Sequence, residues 1–138
     1  MANKILLEVV TPDKMVVSEE AELVTTPGTD GVFGVMANHC AFLSTLQHGE
    51  LRYTNDNKST KIAVSEGFCE ISKNKMSVLV ESAETAEFID VDRALRAKER
   101  AEKRLQEALK GREDINEARA RAALARALTR LKVAGHPH

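Results

Sequence analysis

Apolar residues between Lys4 and Glu81 come in short runs or on alternate positions, and from Asp90 onward they recur every three or four residues. The first segment reads as ILLEVV, KMVVS, AELVTT, GVFGVM, ELRYT, KIAVSEG, FCEIS and KMSVLVE. Turn signals divide the runs, among them Thr11-Pro12-Asp13, Pro27-Gly28, Asp30-Gly31, Asn55-Asp56-Asn57 and Ser72-Lys73-Asn74. Short strands at regular spacing, with no helical pattern between them, predict a β-sandwich or barrel. β-Branched residues such as Val24, Val32, Val35, Ile62, Ile71 and Val78 are its expected core.

The second segment carries a helical stripe, Ala94, Ala97, Ala101, Leu105 and Ala108, with charges on the other faces. Asp90 or Asp92 can accept orphan backbone N–H groups as N-cap. Gly111 breaks the pattern, and Asp114 is expected to cap a second helix. That helix is given the stripe Ile115, Ala118, Ala122, Ala125 and Leu128, widened by Leu124 and Leu131, and Gly135 and Pro137 end it. Two helices joined by a few residues predict an antiparallel hairpin. The predicted organisation is therefore a β-sandwich over residues 1–87 and an α-helical hairpin over 88–138. Alanine on both facing stripes lets the backbones approach but buries little area, at roughly 25 cal/mol per Å² of apolar surface. A hairpin held so weakly is a candidate moving part.

Charge adds an asymmetry to this division. The net charge is −1, but residues 1–89 hold 7 Lys/Arg against 13 Asp/Glu, and residues 90–138 hold 13 against 8. The basic half is drawn to acidic partner surfaces. Aromatics are 4% of the 138 residues and Trp is absent, which argues against stacking on bases or sugars. Cys40 and Cys69 lack metal-ligand spacing and read as free thiols of a reducing compartment. The N-terminus lacks the apolar core of a signal peptide, and no apolar run approaches the roughly 20 residues of a membrane span. A cytosolic chain is the expectation.

Catalytic motifs are missing: there is no phosphate-binding P-loop, nucleophile elbow or zinc-protease helix signature. Neighbours such as His39 and Cys40 would point to opposite faces of a strand and make no nucleophile pair. His136 and His138 flank Pro137 as the end of a tail. Glu19, Glu20 and Glu22 read as a solvated acidic edge. The pair Gly31-x-x-Gly34 has no helix behind it to offer N–H groups to a phosphate, so a tight turn approached closely from outside is the simpler role. The basic hairpin interleaves acids and has no aromatics, against the pattern of a nucleic-acid binder.

One constellation remains. Asp90 and Arg93 open the first helix, and Arg126 and Arg130 share a face near the end of the second. An antiparallel hairpin would bring the four together, where arginines could grip a phosphate chain bidentately. A capping Asp with intramolecular ion pairs is the simpler reading.

The order of features resembles the epsilon-subunit family of bacterial rotary ATP synthases over the whole chain. Four stretches carry the likeness: Val9-Val10-Thr11-Pro12-Asp13; Gly31 to His39, GVFGVMANH; Gly67-Phe68-Cys69-Glu70-Ile71 with Val78 to Glu84; and Ile89-Asp90-Val91-Asp92-Arg93-Ala94, which fits the family's I/L-D-x-x-R-A signature. The resemblance implies a ten-stranded sandwich plus a two-helix hairpin in a non-catalytic subunit of the central rotor stalk. Implied partners are the gamma subunit and the c-subunit ring, met through Gly31, Val32 and His39, and the alpha and beta catalytic subunits, met by an extended hairpin. The implied work is coupling rotation to proton flow and braking ATP hydrolysis, at the cytoplasmic face of the bacterial membrane. No cofactor is required, but regulatory ATP is implied at Glu84, Asp90, Arg93, Ala94, Arg126 and Arg130. The competing reading is a free-standing nucleotide-sensing adaptor whose hairpin binds another protein. The chain departs from the family at Met36 to Ala41, where the usual prolines are missing and a less stiff loop is expected. Val32 stands where an acid is common, and Glu66 where a glycine is usual.

Overall fold

The computed structural model describes residues 3–136. Ten strands come first: β1 (Ile5–Val10), β2 (Met15–Ala21), β3 (Leu23–Gly28), β4 (Gly31–Met36), β5 (Phe42–Leu46), β6 (Gly49–Asn55), β7 (Lys58–Val64), β8 (Gly67–Ser72), β9 (Lys75–Val80) and β10 (Ala83–Thr85). A single 3₁₀ turn, Ala86–Phe88, precedes the helices α1 (Val91–Leu109) and α2 (Glu117–Val133). The chain divides into two compact units between Thr85 and Ala86.

In the first unit the hydrogen-bonded path runs β10-β7-β6-β3-β5-β8-β9-β1-β2, with β4 attached to β3. The link between β3 and β5 is a single pair, Gly28 with Leu46, so the sheet folds there into two layers. β1 is parallel to β9, and the other pairings are antiparallel. Two hairpins have two-residue turns with positive φ at both positions, Asp56-Asn57 and Lys73-Asn74. Such turns match the twist of the flanking strands. The core between the layers includes Ile5, Leu7, Val9, Val24, Leu51, Ile62, Ile71 and Val78. Opposite the fold, the Tyr53 hydroxyl donates to Glu19 at 2.9 Å and ties β6 to β2.

Eight of the ten strands coincide with apolar runs in the sequence. β5 escapes because Phe42 and Leu43 are both exposed and break the alternation, and β10 is three residues long. Val32, expected in the core, is 68% exposed, because the pleat of β4 turns Val35 inward and Val32 out.

In the second unit Asp90 is the N-cap of α1, its Oδ1 accepting from the Arg93 N–H at 3.1 Å. Gly111, with φ +99°, ends α1. The Gly111 N–H reaches the Ala108 carbonyl and the Arg112 N–H the Glu107 carbonyl, which satisfies two otherwise orphaned groups. The second cap is Asn116, whose Oδ1 accepts from Arg119 N–H at 3.1 Å, and not Asp114, whose carboxylate is held by Arg112. The buried positions of α2 are Ala120, Ala127, Leu131 and Val133, while Ala118 is exposed. Of the expected stripe, Leu131 is buried, Ile115, Ala122, Leu124, Ala125 and Leu128 are half-buried and Ala118 is exposed, so the buried face is rotated toward Ala120 and Ala127. Pro137 and His138, read as a helix stop and a tail, lie outside the described residues.

Candidate functional site

A cleft of about 450 Å³ opens between the two helices of the hairpin. Its α1 wall carries Ala97, Arg100, Ala101 and Arg104; its α2 wall carries Asp114, Ile115, Asn116, Arg119, Ala120, Ala123 and Arg126. Arg100 and Arg104 are one turn apart, and Arg119 and Arg126 two turns, so each pair shares a helix face. The small alanines leave the space, and the arginines give it charge. Among the described residues, none of these four side chains makes a hydrogen bond or an ion pair. Four guanidiniums without a protein partner thus line one cleft beside the N-terminus of α2. Its volume falls within the roughly 300–1,000 Å³ of small-molecule sites.

Asp114 is the one acid lining the cleft. Arg112 Nε and Nη2 donate to its Oδ1 and Oδ2 at 3.0 and 2.6 Å. That grip lowers the Asp114 pKa and raises that of Arg112. Arg112 Nη1 also donates to Glu107 at 3.1 Å.

The six residues expected to hold a nucleotide are distributed unevenly. Asp90 caps α1, Arg93 and Ala94 lie in the turns that follow, and Arg126 and Arg130 are one turn apart on α2. Of these, Arg126 lines the cleft. Glu84 is on β10, in the other unit, paired in register with Ala63. The capping reading of Asp90 holds. Sequence reasoning missed Arg100, Arg104 and Arg119 as partners of Arg126. The signal was present, since antiparallel pairing sets an i,i+4 arginine pair opposite an i,i+7 pair.

The sandwich offers a second feature, the loop between β4 and β5. Gly31, at φ +130°, closes the β3–β4 turn, as expected, with open space beside it. The close approach is at Gly28, where an added Cβ would lie 2.8 Å from the Gly31 carbonyl oxygen. Asn38 adopts φ +62°, and its N–H donates to Asn74 Oδ1 at 2.8 Å, while Asn74 Nδ2 donates to the Lys4 carbonyl at 2.8 Å. The His39 N–H reaches the Met36 carbonyl at 3.2 Å. Its ring lies edge-on to Phe42, centroids 5.9 Å apart. The loop without the usual prolines is held by the Asn74 amide and by the His39–Phe42 ring contact. Val32, Met36 and Leu43 stand at its margins, each more than 60% exposed. His39 and Cys40 lie in this loop. Both cysteines are free; Cys40 is exposed and Cys69 buried. Among the described residues no group of His, Cys, Asp or Glu is arranged to hold a metal ion, and no helix is long and apolar enough to cross a membrane.

Residues 4–86 match the family described as ATP synthase, Delta/Epsilon chain, beta-sandwich domain, and residues 87–135 match the long alpha-helix domain of the same chain. The chain belongs to the ATP synthase delta/epsilon family. Its relatives include the ATP synthase epsilon chain of Nitratidesulfovibrio vulgaris, 50% identical over 136 residues that cover 99% of each chain. That of Desulfitobacterium hafniense is 47% identical over 134 residues, covering 97% of this chain and 98% of the relative. The fold is similar to that of a chain in the cryo-EM structure of the Euglena gracilis mitochondrial ATP synthase. The two share 23% identity with a TM-score of 0.79, over 96% of this chain and 82% of that one. Membership makes the chain a delta/epsilon chain of an ATP synthase complex, as the sequence resemblance implied.

Proposed function

We propose that the sandwich anchors the chain to the gamma subunit and the c-subunit ring, at the cytoplasmic face of the membrane, and that the hairpin is a nucleotide-sensitive brake on ATP hydrolysis. The observation that carries this reading is the cleft: two helices packed over alanine, with four unsatisfied guanidiniums between them. The pinned loop offers Gly31, Val32 and His39, with Met36 and Leu43, as a firm apolar surface for a partner. Val32 stands where the family resemblance implies an acid, so this contact becomes apolar. Packing over alanine keeps the helices easy to separate, so an extended hairpin can present its basic faces to acidic segments of the alpha and beta subunits.

Like charges across the cleft oppose closure, and a bound polyphosphate removes the opposition. A ligand shifts an equilibrium only by its differential affinity for the two states. ATP held in the cleft therefore favours the closed hairpin. Arg126, Arg119, Arg100 and Arg104 would take the phosphates bidentately. Of the nucleotide set that the family resemblance implies, Arg126 is the member that lines this cleft. When bound, ATP supplies negative charge and no chemistry.

The test is ATP hydrolysis by a matching catalytic core stripped of this subunit, titrated with the full chain and with a version ending near Glu87. Binding by both and inhibition by the full chain alone makes the sandwich the anchor and the hairpin the brake. Binding without inhibition by either removes the brake, and binding by neither removes the rotor role and returns the adaptor reading.

A further inference from the structure

The cleft arginines are unpaired even though a carboxylate stands among them. Asp114 lines the cleft with Arg100, Arg104, Arg119 and Arg126, yet both of its oxygens are engaged by Arg112. Arg112 is not a lining residue. It is fixed in turn: its backbone N–H closes the end of α1 on the Glu107 carbonyl at 3.2 Å, and its Nη1 donates to the Glu107 carboxylate at 3.1 Å. A planar guanidinium held by Glu107 at one end, on a residue whose backbone is also fixed, presents its remaining edge to a carboxylate in one orientation.

On the reading that the cleft takes a polyanion, we propose that Arg112 is a positioning residue that sequesters Asp114. It keeps the only carboxylate of the cleft from acting as an internal competitor for the phosphates. A free Asp114 would satisfy one or two of the cleft arginines and repel the incoming anion; a clasped one does neither fully. The Glu107–Arg112–Asp114 brace therefore sets the affinity of the cleft as well as the shape of the turn.

Asp114→Asn removes the competing charge, so polyphosphate binding tightens, and Arg112→Gln releases Asp114 into the cleft, so binding weakens. One unit charge several Å away, at a dielectric between those of protein surface and water, changes affinity by about fivefold. Plain net charge gives the same two signs, so the double variant Asp114→Asn/Arg112→Gln decides. Sequestration makes Arg112→Gln nearly silent once Asp114 is gone, and a brace that only shaped the turn leaves it weakening binding as much as before. The experiment is calorimetric titration of the full chain at low ionic strength with ATP and, separately, with inorganic tripolyphosphate. Arg126→Ala is run beside these variants, and helicity is followed by circular dichroism.

The expected result is tighter binding for Asp114→Asn, weaker for Arg112→Gln and weaker for Arg126→Ala, with both probes. Equal or same-sign effects of the first two, with Arg126→Ala still weakened, overturn the sequestration and leave the anion cleft standing. No effect of Arg126→Ala, or no binding of either probe to the unaltered chain, overturns the cleft reading and the sequestration together. Divergence with ATP alone, and none with tripolyphosphate, also overturns it, since the competition is with phosphate charge.

Discussion

The Asn74 amide joins two backbones far apart in sequence, accepting from the Asn38 N–H at 2.8 Å and donating to the Lys4 carbonyl at 2.8 Å. It sits in the β8–β9 turn at φ +60°, and Asn38 is also left-handed, at φ +62°. Asn tolerates that region better than most residues. Asn74→Ala is expected to cost about 1–2 kcal/mol, the order of two lost hydrogen bonds that are partly exposed. The amide of Asn38 should then exchange faster with solvent, measurable by hydrogen-exchange NMR. Asn74→Asp keeps the acceptor but not the donor, so it should fall between the two.

Gly67 has no room for a side chain. A Cβ there would collide with the Leu79 backbone carbonyl and lie 2.9 Å from Val80 Cα. Gly67→Ala must push β8 from β9 and is expected to cost about 1–3 kcal/mol, the range of overpacking. The urea midpoint of the sandwich should drop accordingly. Gly111→Ala, with open space but φ +99°, should instead strain the hairpin turn alone and leave that midpoint in place.

The helix stripe on α2 is testable by contrast. Leu131 is fully buried and Ala118 exposed. Leu131→Ala should lower hairpin stability by about 2–4 kcal/mol, seen as an earlier loss of the 222 nm signal on heating. Ala118→Ser should change it by less than about 0.5 kcal/mol. Equal effects would overturn the placing of Ala118 on the exposed face.

The thiols should separate by reactivity. Burial pushes the Cys69 thiol above its ordinary value of 9.0, offset in part by a backbone hydrogen bond with Ser44. Iodoacetamide at pH 8 should label Cys40 at once and Cys69 only on unfolding, read by mass spectrometry. Folded Cys69 holds its proton to higher pH than the unfolded chain does. Its contribution is fully present below 9.0 and is lost as pH rises through the folded value. Tyr53, raised from 10.0 first by burial and then by Glu19, acts in the same direction. Stability should therefore decline above about pH 9, less steeply in Cys69→Ala.

The β-then-α division, eight strand positions, the Asp90 cap and the family could be read from the residues, because each rests on local pattern. Period two, Asn-rich turns and a carboxylate before an amphipathic run act within a few residues. What was hidden depends on partners far away. β5 is a strand because β8 pairs with it, despite two adjacent exposed apolar residues. The α2 stripe is set by what Leu131 buries, which alanine spacing cannot show. Arg100, Arg104 and Arg119 gain meaning only when the helices are laid side by side. Asp114 looks like a cap until Arg112 is seen to hold it.

The parallel pairing of β1 with β9 ties Leu6 to Lys75 and Val10 to Leu79. During synthesis the first strand must therefore wait for a neighbour about seventy residues later, with only β2 to shelter its other edge. Non-local pairing of that kind is slow, because loop closure precedes the contacts that reward it. The hairpin, whose helices meet across a short connection, forms without such a delay. A nascent chain thus carries an unsatisfied strand edge until nearly the whole sandwich has left the ribosome, and that interval is when it most needs shielding from its own copies.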